Sequence, residues 1–569
     1  AANVTYNGPA TLSVYPGYSD AENTYVATAD ALQEALEEVV AGTEDKNIVL
    51  SGDIDLASLM TRSAVASNWT PIGTSEKPFT GVFDGNGFTI KNLALVEAEA
   101  KEGKAYIGFF GYAKNATIKN VTFENVYVNV ASDDTNEGGH IAAVAGYAQN
   151  VTFENITVKG DVIVESNLDM NASSRVGVIA GGNYGGKAVM KNVKVEANEG
   201  SYVKGNNSVG GLAGQLQVEA VFEDCYSNID VIGYKFFAGG IVGLTAGNTT
   251  FTNCHTTGDV TITNGRAGNA NDLYRVVGIA GGWDDNVYTP LVVNNCSYTG
   301  TISGQDANGK VAEGLDCEGY VGRGYSAKTG TIVIIDGDEY VYEGNGVFSV
   351  GETLIVRSAD ALIAALDKGR DVKLLSNIKI NPANMSNAYG KTGISIKNGQ
   401  TLDGNGYTID IKGAGGTWDS GINTTGGLIK NLTVTGSFRG IFINHNSDHS
   451  EKVVLENVTI TGTTYTISCD QGTNQGLEAY NSTFNGWTSY AATIGEIKFV
   501  NCTFGEGSGY AFCRPYGKTD FVGCAFEAGF AVDAVGAVTF ENCTFGGVAL
   551  TAENIATLVV SGVENVTVK

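Results

Sequence analysis

Four residues of this chain could do chemistry together: His445, Asp470, Arg514 and Asp533. Each closes a short apolar run, IFINH at 441–445, TISCD at 466–470, AFCR at 511–514 and AVD at 531–533, as though the runs lay one above another. Gathered on one face, they would provide a base, an acid and a cationic clamp, the equipment for cleaving a glycosidic bond. Asp448 and His449 fall on the adjoining loop. Against this, the intervening run offers only Thr493 and Ile494, and no carboxylate pair recurs on neighbouring runs. Polar residues at strand ends ordinarily just face water. The expectation is therefore a non-catalytic chain, with these four residues as the sites of the alternative.

Aromatic and acidic residues suggest binding instead. Asp133, Asp134 and Glu137 in the longest insertion, together with Asp284 and Asp285 beside Trp283, make a candidate cation or sugar site. Trp418 and Trp487 fall at corners or in insertions, where a sugar ring or a partner surface can stack. Asp84 and Asp403 sit in DGNG strings that lack a calcium loop's closing Glu, and the turn itself calls for these residue types. His140 and His255 stand alone and read as surface or corner residues. No Cys or His spacing fits zinc, so neither a metal nor any other cofactor is expected.

What must position these residues is a repeated phrase: an apolar residue near an Asn, then a short alternating strand. It runs KNLAL (Lys91), KNVTF (Lys119), ENITV (Glu154) and KNVKV (Lys191), and later KNLTV (Lys430), ENVTI (Glu456), VNCTF (Val500) and ENCTF (Glu541). Such self-similarity marks a solenoid, whose units must stack to bury their apolar faces. Val, Ile, Thr, Phe and Tyr alternating between Asn and Gly corners favour strand, and a phrase recurring in one direction requires parallel pairing. Asn suits a left-handed corner and a side-chain ladder, so the sequons at Asn120 and Asn155 are read as corners. Cys225, Cys254, Cys296, Cys502, Cys524 and Cys543 take a slot that holds Leu, Val or Ile elsewhere, an inward column of free thiols. Stacked neighbours at strand spacing, ~4.8 Å, would still be near enough for a bridge.

A larger order occurs twice. An amphipathic helix at 28–42, capped by Thr28 or Asp30 and ended by Gly42, precedes strands at 47–56 and a DGNG turn at 82–90. The same order returns at 358–369, 371–380 and 401–409. The expected fold is all-β: two tandem right-handed parallel β-helices, each with an N-terminal amphipathic capping helix over its exposed edge and apolar bore. The expected domains are a lead-in segment 1–23, a first β-helix 24–335, a linker 336–356 that itself pairs as strands, and a second β-helix 357–569 with shorter coils. Residues 10–15, ATLSVY, read as an edge strand or extended lead-in.

Between 101 and 301 each repeat carries a second phrase, IGFFG (Ile107), AAVAG (Ala142), GVIAG (Gly177), GGLAG (Gly210), GGIVG (Gly239) and VGIAG (Val277). Gly-rich apolar runs fit a packed strand at a left-handed or crowded corner.

With 43% hydrophobic and 17% charged residues, and 77 Gly against 7 Pro, the chain is folded and rich in turns. Its net charge of -26 disfavours nucleic acid and anionic lipid, and no apolar run reaches the ~20 residues of a spanning helix. A start at Ala1 rather than Met implies a removed upstream segment, and any covalent anchor would sit upstream of Ala1.

The helix, strand, DGNG turn and Asn-cornered coils resemble right-handed parallel β-helices of the pectate-lyase-like kind, over about 24–569. GGLAG and GGIVG resemble the GLUG motif of bacterial surface proteins and adhesins, over about 107–300. The resemblance implies a protein exported to the cell surface or the outside of the outer membrane, in the manner of a lipoprotein. The expected function is that of a monomeric, non-catalytic adhesin binding a host or microbial glycan or protein by its lateral face and insertions. The alternatives are a polysaccharide lyase or glycoside hydrolase with its site on the second β-helix, and a structural spacer.

Overall fold

A computed structural model of the chain describes residues 17–569, apart from 43–46, 60–65, 98–103, 132–137, 168–172, 247, 266–275, 285–290, 307, 309–318, 323–328, 345–346, 382–390, 412–418, 444–450, 470–475 and 491–495. The chain forms two compact units, Ala1–Val341 and Tyr342–Lys569, and among the described residues each is built of β-strands with one α-helix. Most of its strand pairs are parallel. The anticipated lead-in strand at 10–15 lies outside the described residues.

Parallel pairing joins each strand to its counterpart one repeat later. In the first unit Phe83, Ile118, Phe153, Met190, Phe222 and Phe251 stand in direct register, one strand after another. All are almost fully buried. Phe222 and Phe251 stack with centroids 4.8 Å apart, the spacing of neighbouring strands. The second unit has its own inward column, in which Leu455, Ala479, Phe499, Phe521 and Phe540 follow in register. There Phe499, Phe521 and Phe540 stack at 5.2 and 5.1 Å. DGNG is a bend between two strands of one repeat and not a hairpin. Val82–Asp84 and Thr89–Glu97 on either side of it each pair in parallel with Thr117–Val130.

The Asn of the repeat phrase holds the corner. Asn92, Asn120, Asn155, Asn192, Asn431 and Asn457 have φ of 62°, 53°, 54°, 48°, 52° and 54°, the left-handed region that Asn tolerates better than most side chains. Their amides then bond from repeat to repeat. Asn120 Nδ2 donates to Asp84 Oδ1 at 3.0 Å, Asn155 Nδ2 to Asn120 Oδ1 at 2.9 Å, and Asn192 Nδ2 to Asn155 Oδ1 at 2.9 Å. In the second unit Asn431 donates to Asp403 at 3.1 Å, and Asn457 to Asn431 at 3.1 Å. The Asp of each DGNG turn is thus the first acceptor of a ladder. Asp84 also accepts from Asn86 N at 2.8 Å and pairs with Lys119 at 3.3 Å.

The two helices begin alike. Helix Ala29–Ala41 is capped by Thr28 Oγ1, which accepts from Ala31 N at 3.3 Å, and is closed by Gly42 at φ 75°. Helix Ala359–Asp367 is capped by Ser358 Oγ, accepting from Ala361 N at 3.3 Å. Leu32, Ala35 and Leu36 of the first, and Leu362, Ala365 and Leu366 of the second, are buried. At the start of each unit a hairpin also meets the edge strand. Asn23–Val26 pairs antiparallel with Gly17–Ser19, and Thr353–Val356 antiparallel with Val347–Val350. A hairpin can satisfy edge N–H and C=O groups in full, which a helix face cannot. The stretch expected to be a linker does pair as strands, since Ile332–Ile335 also forms a hairpin with Asp338–Gly344.

The Gly-rich phrases form the bend between two six-stranded parallel sheets of the first unit. None of Gly146, Gly181, Gly214 or Gly243 takes a positive φ. Crowding is the constraint: a Cβ on Gly146 would lie 2.6 Å from Ile107 N, and one on Gly181 2.3 Å from Ile141 N. In the second unit one eight-stranded parallel sheet takes this place.

Eight described cysteines are buried and unbridged, and Cys317 lies outside the described residues. Their thiols serve backbone carbonyls near the corner: Cys225 Sγ donates to Met190 O at 3.4 Å, Cys524 Sγ to Phe499 O at 3.5 Å, and Cys543 Sγ to Phe521 O at 3.3 Å. Burial pushes the Cys513 thiol up, away from the reactive thiolate.

Asn155 bonds to repeats on both sides, so its variants separate backbone strain from side-chain bonding. Asn155→Ala loses both ladder bonds, about 1 kcal/mol each, and strains a left-handed corner by about 1–2 kcal/mol more. Asn155→Gly loses the bonds without that strain. Chemical unfolding of the first unit should show Ala as the more destabilising substitution; equal losses would mean the corner conformation is not a constraint.

Candidate functional site

The eight-stranded sheet of the second unit carries the residues singled out for catalysis. Phe442, Ser468, Ser489 and Arg514 follow in register on its successive strands. Arg514 Nε donates to Asp533 Oδ2 at 2.8 Å, and the guanidinium lies 5.5 Å from the Phe512 ring. With side chains 37% and 19% exposed, the pair contributes on the order of 0–1 kcal/mol. His445, Asp470, Asp448 and His449 lie outside the described residues. The strand between the second and third runs is Trp487–Tyr490, so Ser489 stands between Ser468 and Arg514 where Thr493 and Ile494 were expected. Segments between strands differ in length, and Thr493 and Ile494 themselves lie outside the described residues.

A tight aromatic column runs beside that register. Trp487 stacks on Tyr465 at 4.8 Å and on Tyr510 at 5.5 Å, with Phe512 against its edge at 5.5 Å. Both faces of the indole are engaged by other rings, and its Nε1 is buried without a hydrogen-bond partner. Arg439, which the sequence did not single out, caps the column. It is 5% exposed, lies 5.1 Å from the Tyr465 ring and 5.7 Å from Phe442, and donates to Ser468 Oγ.

Of the other binding candidates, Trp418, Asp285, Asp133, Asp134 and Glu137 lie outside the described residues. Trp283 and Asp284 end strand Ala280–Asp284, where their backbones pair with Thr245 and Ala246. Among the described residues no group of His, Cys, Asp or Glu side chains is arranged to hold a metal ion.

His140 is no surface residue. It is 4% exposed inside a cluster of tyrosines in the first unit, stacked on Tyr106 at 5.6 Å, with Tyr147 at 5.1 Å and Tyr184 at 5.3 Å. Tyr112 lies 4.6 Å from Tyr147 and donates to Gln149 Oε1 at 3.1 Å. Burial, reinforced by Tyr147 and Tyr106, pushes the Tyr112 phenol up to about 12. The neighbouring repeats supply these rings, which is why a lone His in the sequence gives no sign of them. His255 does sit at a corner, with Nδ1 2.9 Å from Ser297 Oγ.

An open groove lies on the lateral face of the first unit. Its volume is about 410 Å³, within the range of small-molecule sites, and it is lined by Ala66, Asn92, Leu93, Ala94, Val96, Asn125, Val126, Tyr127, Asp161 and Ile163. The register builds it: Ala94 stands beside Tyr127 and Tyr127 beside Ile163 on consecutive strands. The next outward column runs Val96, Asn129, Glu165 and Lys204. There Glu165, 8% exposed, accepts from Lys204 Nζ at 2.5 Å and from Tyr202 OH at 3.0 Å. Burial and that bond to Glu165 push the Tyr202 phenol up to about 12. Of the groove residues only Asn92, the corner of KNLAL, stood out in the sequence, because the apolar ones are ordinary strand residues until the register sets each beside the next.

No protein-family model matches the chain. Over 127 residues, 22% of the chain, it is 32% identical to halomucin from Haloquadratum walsbyi, and that match spans about 1% of halomucin's length. A Bacteroides ovatus crystal structure, provisionally named an immunoglobulin A1 protease, aligns over 51% of this chain and 86% of its own at 18% identity, with a TM-score of 0.29. A TM-score of that size carries no argument. Among the described residues no helix is long and apolar enough to cross a membrane.

The tyrosines give a pH test. Tyr112 and Tyr202 hold their protons in the folded chain to about pH 12, whereas in the unfolded chain they release them near pH 10. Their stabilising effect is complete below pH 10 and is lost as pH rises through the window from 10 to 12. Tyrosinate absorbance of the native protein should show a late-titrating fraction, diminished in Tyr112→Phe and in Tyr202→Phe. A single transition near pH 10 in a chain that is still folded would contradict this.

Proposed function

We propose that this chain is a non-catalytic, adhesin-like protein of the cell surface. Its stacked repeats form two tandem right-handed parallel β-helices, and their lateral face binds a glycan or protein partner. The observation that carries this reading is the 410 Å³ groove on the lateral face of the first unit, walled by apolar side chains under an amide and carboxylate rim. A parallel stack of outward columns makes a long, regular surface suited to display and contact.

The enzyme alternative rests on His445, Asp470, Arg514 and Asp533, of which the two described, Arg514 and Asp533, are bound to each other. The chain should bind components of a glycan array, or a surface protein, without releasing reducing or unsaturated ends from any polysaccharide. Depolymerisation that disappears in Arg514→Ala or Asp533→Ala would put the enzyme reading in its place, and a chain that neither binds nor cleaves would be a spacer.

A further inference from the structure

The groove has a floor and a rim of different chemistry. On the floor, Tyr127 lies between Ala94 and Ile163 on strands about 4.8 Å apart. Ala94 contributes only a methyl group, and it is this missing bulk that opens space beside the phenol ring. Trp487 is the contrast, since Tyr465 and Tyr510 close both of its faces. Among the described residues no aromatic ring packs on Tyr127, whose hydroxyl accepts from Asn129 Nδ2 at 3.1 Å.

The rim is the second amide ladder of this unit. Asn92 Nδ2 donates to Asp55 Oδ1 at 2.8 Å, Asn125 Nδ2 to Asn92 Oδ1 at 3.3 Å, and Asn125 Oδ1 accepts from Asp161 N at 3.2 Å. Asn198 Nδ2 donates to Asp161 Oδ1 at 2.8 Å. Each amide carries a second N–H and a carboxylate has further lone pairs, so Asn92, Asn125 and Asp161 retain bonding capacity while the ladder fixes their orientation. Little ordering entropy is lost when such groups meet a ligand.

Charge and backbone pairing select the occupant. Asp161 is the charged residue of the lining, Asp55 stands behind Asn92, and the nearby cation Lys204 is paired with Glu165. An anionic ligand is repelled. An extended peptide cannot add as a strand, because Thr117–Val130 is already paired on both sides. What remains is an uncharged ligand with one apolar face and a fringe of hydroxyls.

Resting on the binding reading above, we propose that this groove holds a neutral pyranose, its C–H face on Tyr127 in the space left by Ala94 and its hydroxyls on Asn92, Asn125 and Asp161. The floor supplies dispersion and the rim orientation. Uronic, sialic and sulfated sugars are disfavoured by Asp161.

The test is a binding titration of the full chain against neutral hexose oligosaccharides, uronate-containing and sulfated glycans, and Lys-rich peptides. Neutral oligosaccharides should bind best. Both Tyr127→Ala and the groove-filling Ala94→Leu should weaken them by about tenfold or more. Asp161→Asn should narrow the preference for neutral over acidic glycans by raising binding of the acidic ones, the ratio of the two affinities being the readout. Circular dichroism and the unfolding midpoint check that each variant is folded; if Ala94→Leu is not, Ala94→Val replaces it. Neutral binding unchanged in folded Tyr127→Ala and folded Ala94 variants would overturn the assignment and leave the adhesin-like reading standing. Preference for acidic glycans or for Lys-rich peptides would overturn it too. Failure of the unmodified chain to bind any glycan or protein would remove both.

Discussion

Everything in this molecule depends on keeping equivalent positions of successive repeats in register, so that the nearest neighbour of a side chain is its own counterpart one strand away. A parallel ladder with strands ~4.8 Å apart admits only certain neighbours at that distance. Flat rings stack, as Phe499, Phe521 and Phe540 do. Amides bond to amides, as in the line from Asp84 through Asn120 and Asn155 to Asn192. Ionic side chains require opposite signs on consecutive strands, as with Lys191 and Glu223 at 2.9 Å or Lys452 and Glu478 at 2.6 Å. A one-residue slip would move every apolar column to the wrong face. The Asn corner guards against it, because its left-handed backbone and its ladder bonds are satisfied in one register alone.

That constraint also explains what could be read from the sequence. The corners, both helices and the DGNG turns are local, since each is set by a few consecutive residues, and these were legible, with the first cap narrowed to Thr28 or Asp30. Parallel pairing followed from the direction of the repeat phrase. The role of the Gly-rich phrases was half legible: glycine is needed at Gly146 and Gly181 because backbone atoms of another strand come too close for a Cβ, which only the packing reveals. The strand pairing within 336–356 was expected, whereas the hairpin of Gly17–Ser19 with Asn23–Val26 was missed because a strand edge is a property of the sheet and not of a segment.

The candidate sites were less legible because they are built across repeats, by residues far apart in sequence. Arg514 and Asp533 were noticed as charged residues at strand ends and do meet at 2.8 Å. Their partners in register depend on segments of unequal length, so Ser489 stands where Thr493 and Ile494 were expected. His140 looked solitary since its ring neighbours come from other strands of the cluster. The floor of the groove left no sequence signal. Ala94 is the smallest side chain of a good strand and Tyr127 one of 26 tyrosines. It took their juxtaposition to give either one meaning.

The same geometry decides which aromatics can serve a ligand. In a column of stacked rings, faces point along the stack and are consumed by neighbours, so an aromatic-rich stretch such as the one holding Tyr465, Trp487 and Tyr510 stiffens the sheet. A ring face is left open only where the neighbouring repeat puts a small residue in the column. Tyr127 beside Ala94 meets that condition, and the rim above it is made of the corner residues Asn92 and Asn125 that also fix the backbone. Binding capacity in such a fold therefore requires no dedicated loop. One small residue in an outward aromatic column, placed under an amide ladder that exists for structural reasons, is sufficient to turn a wall into a groove.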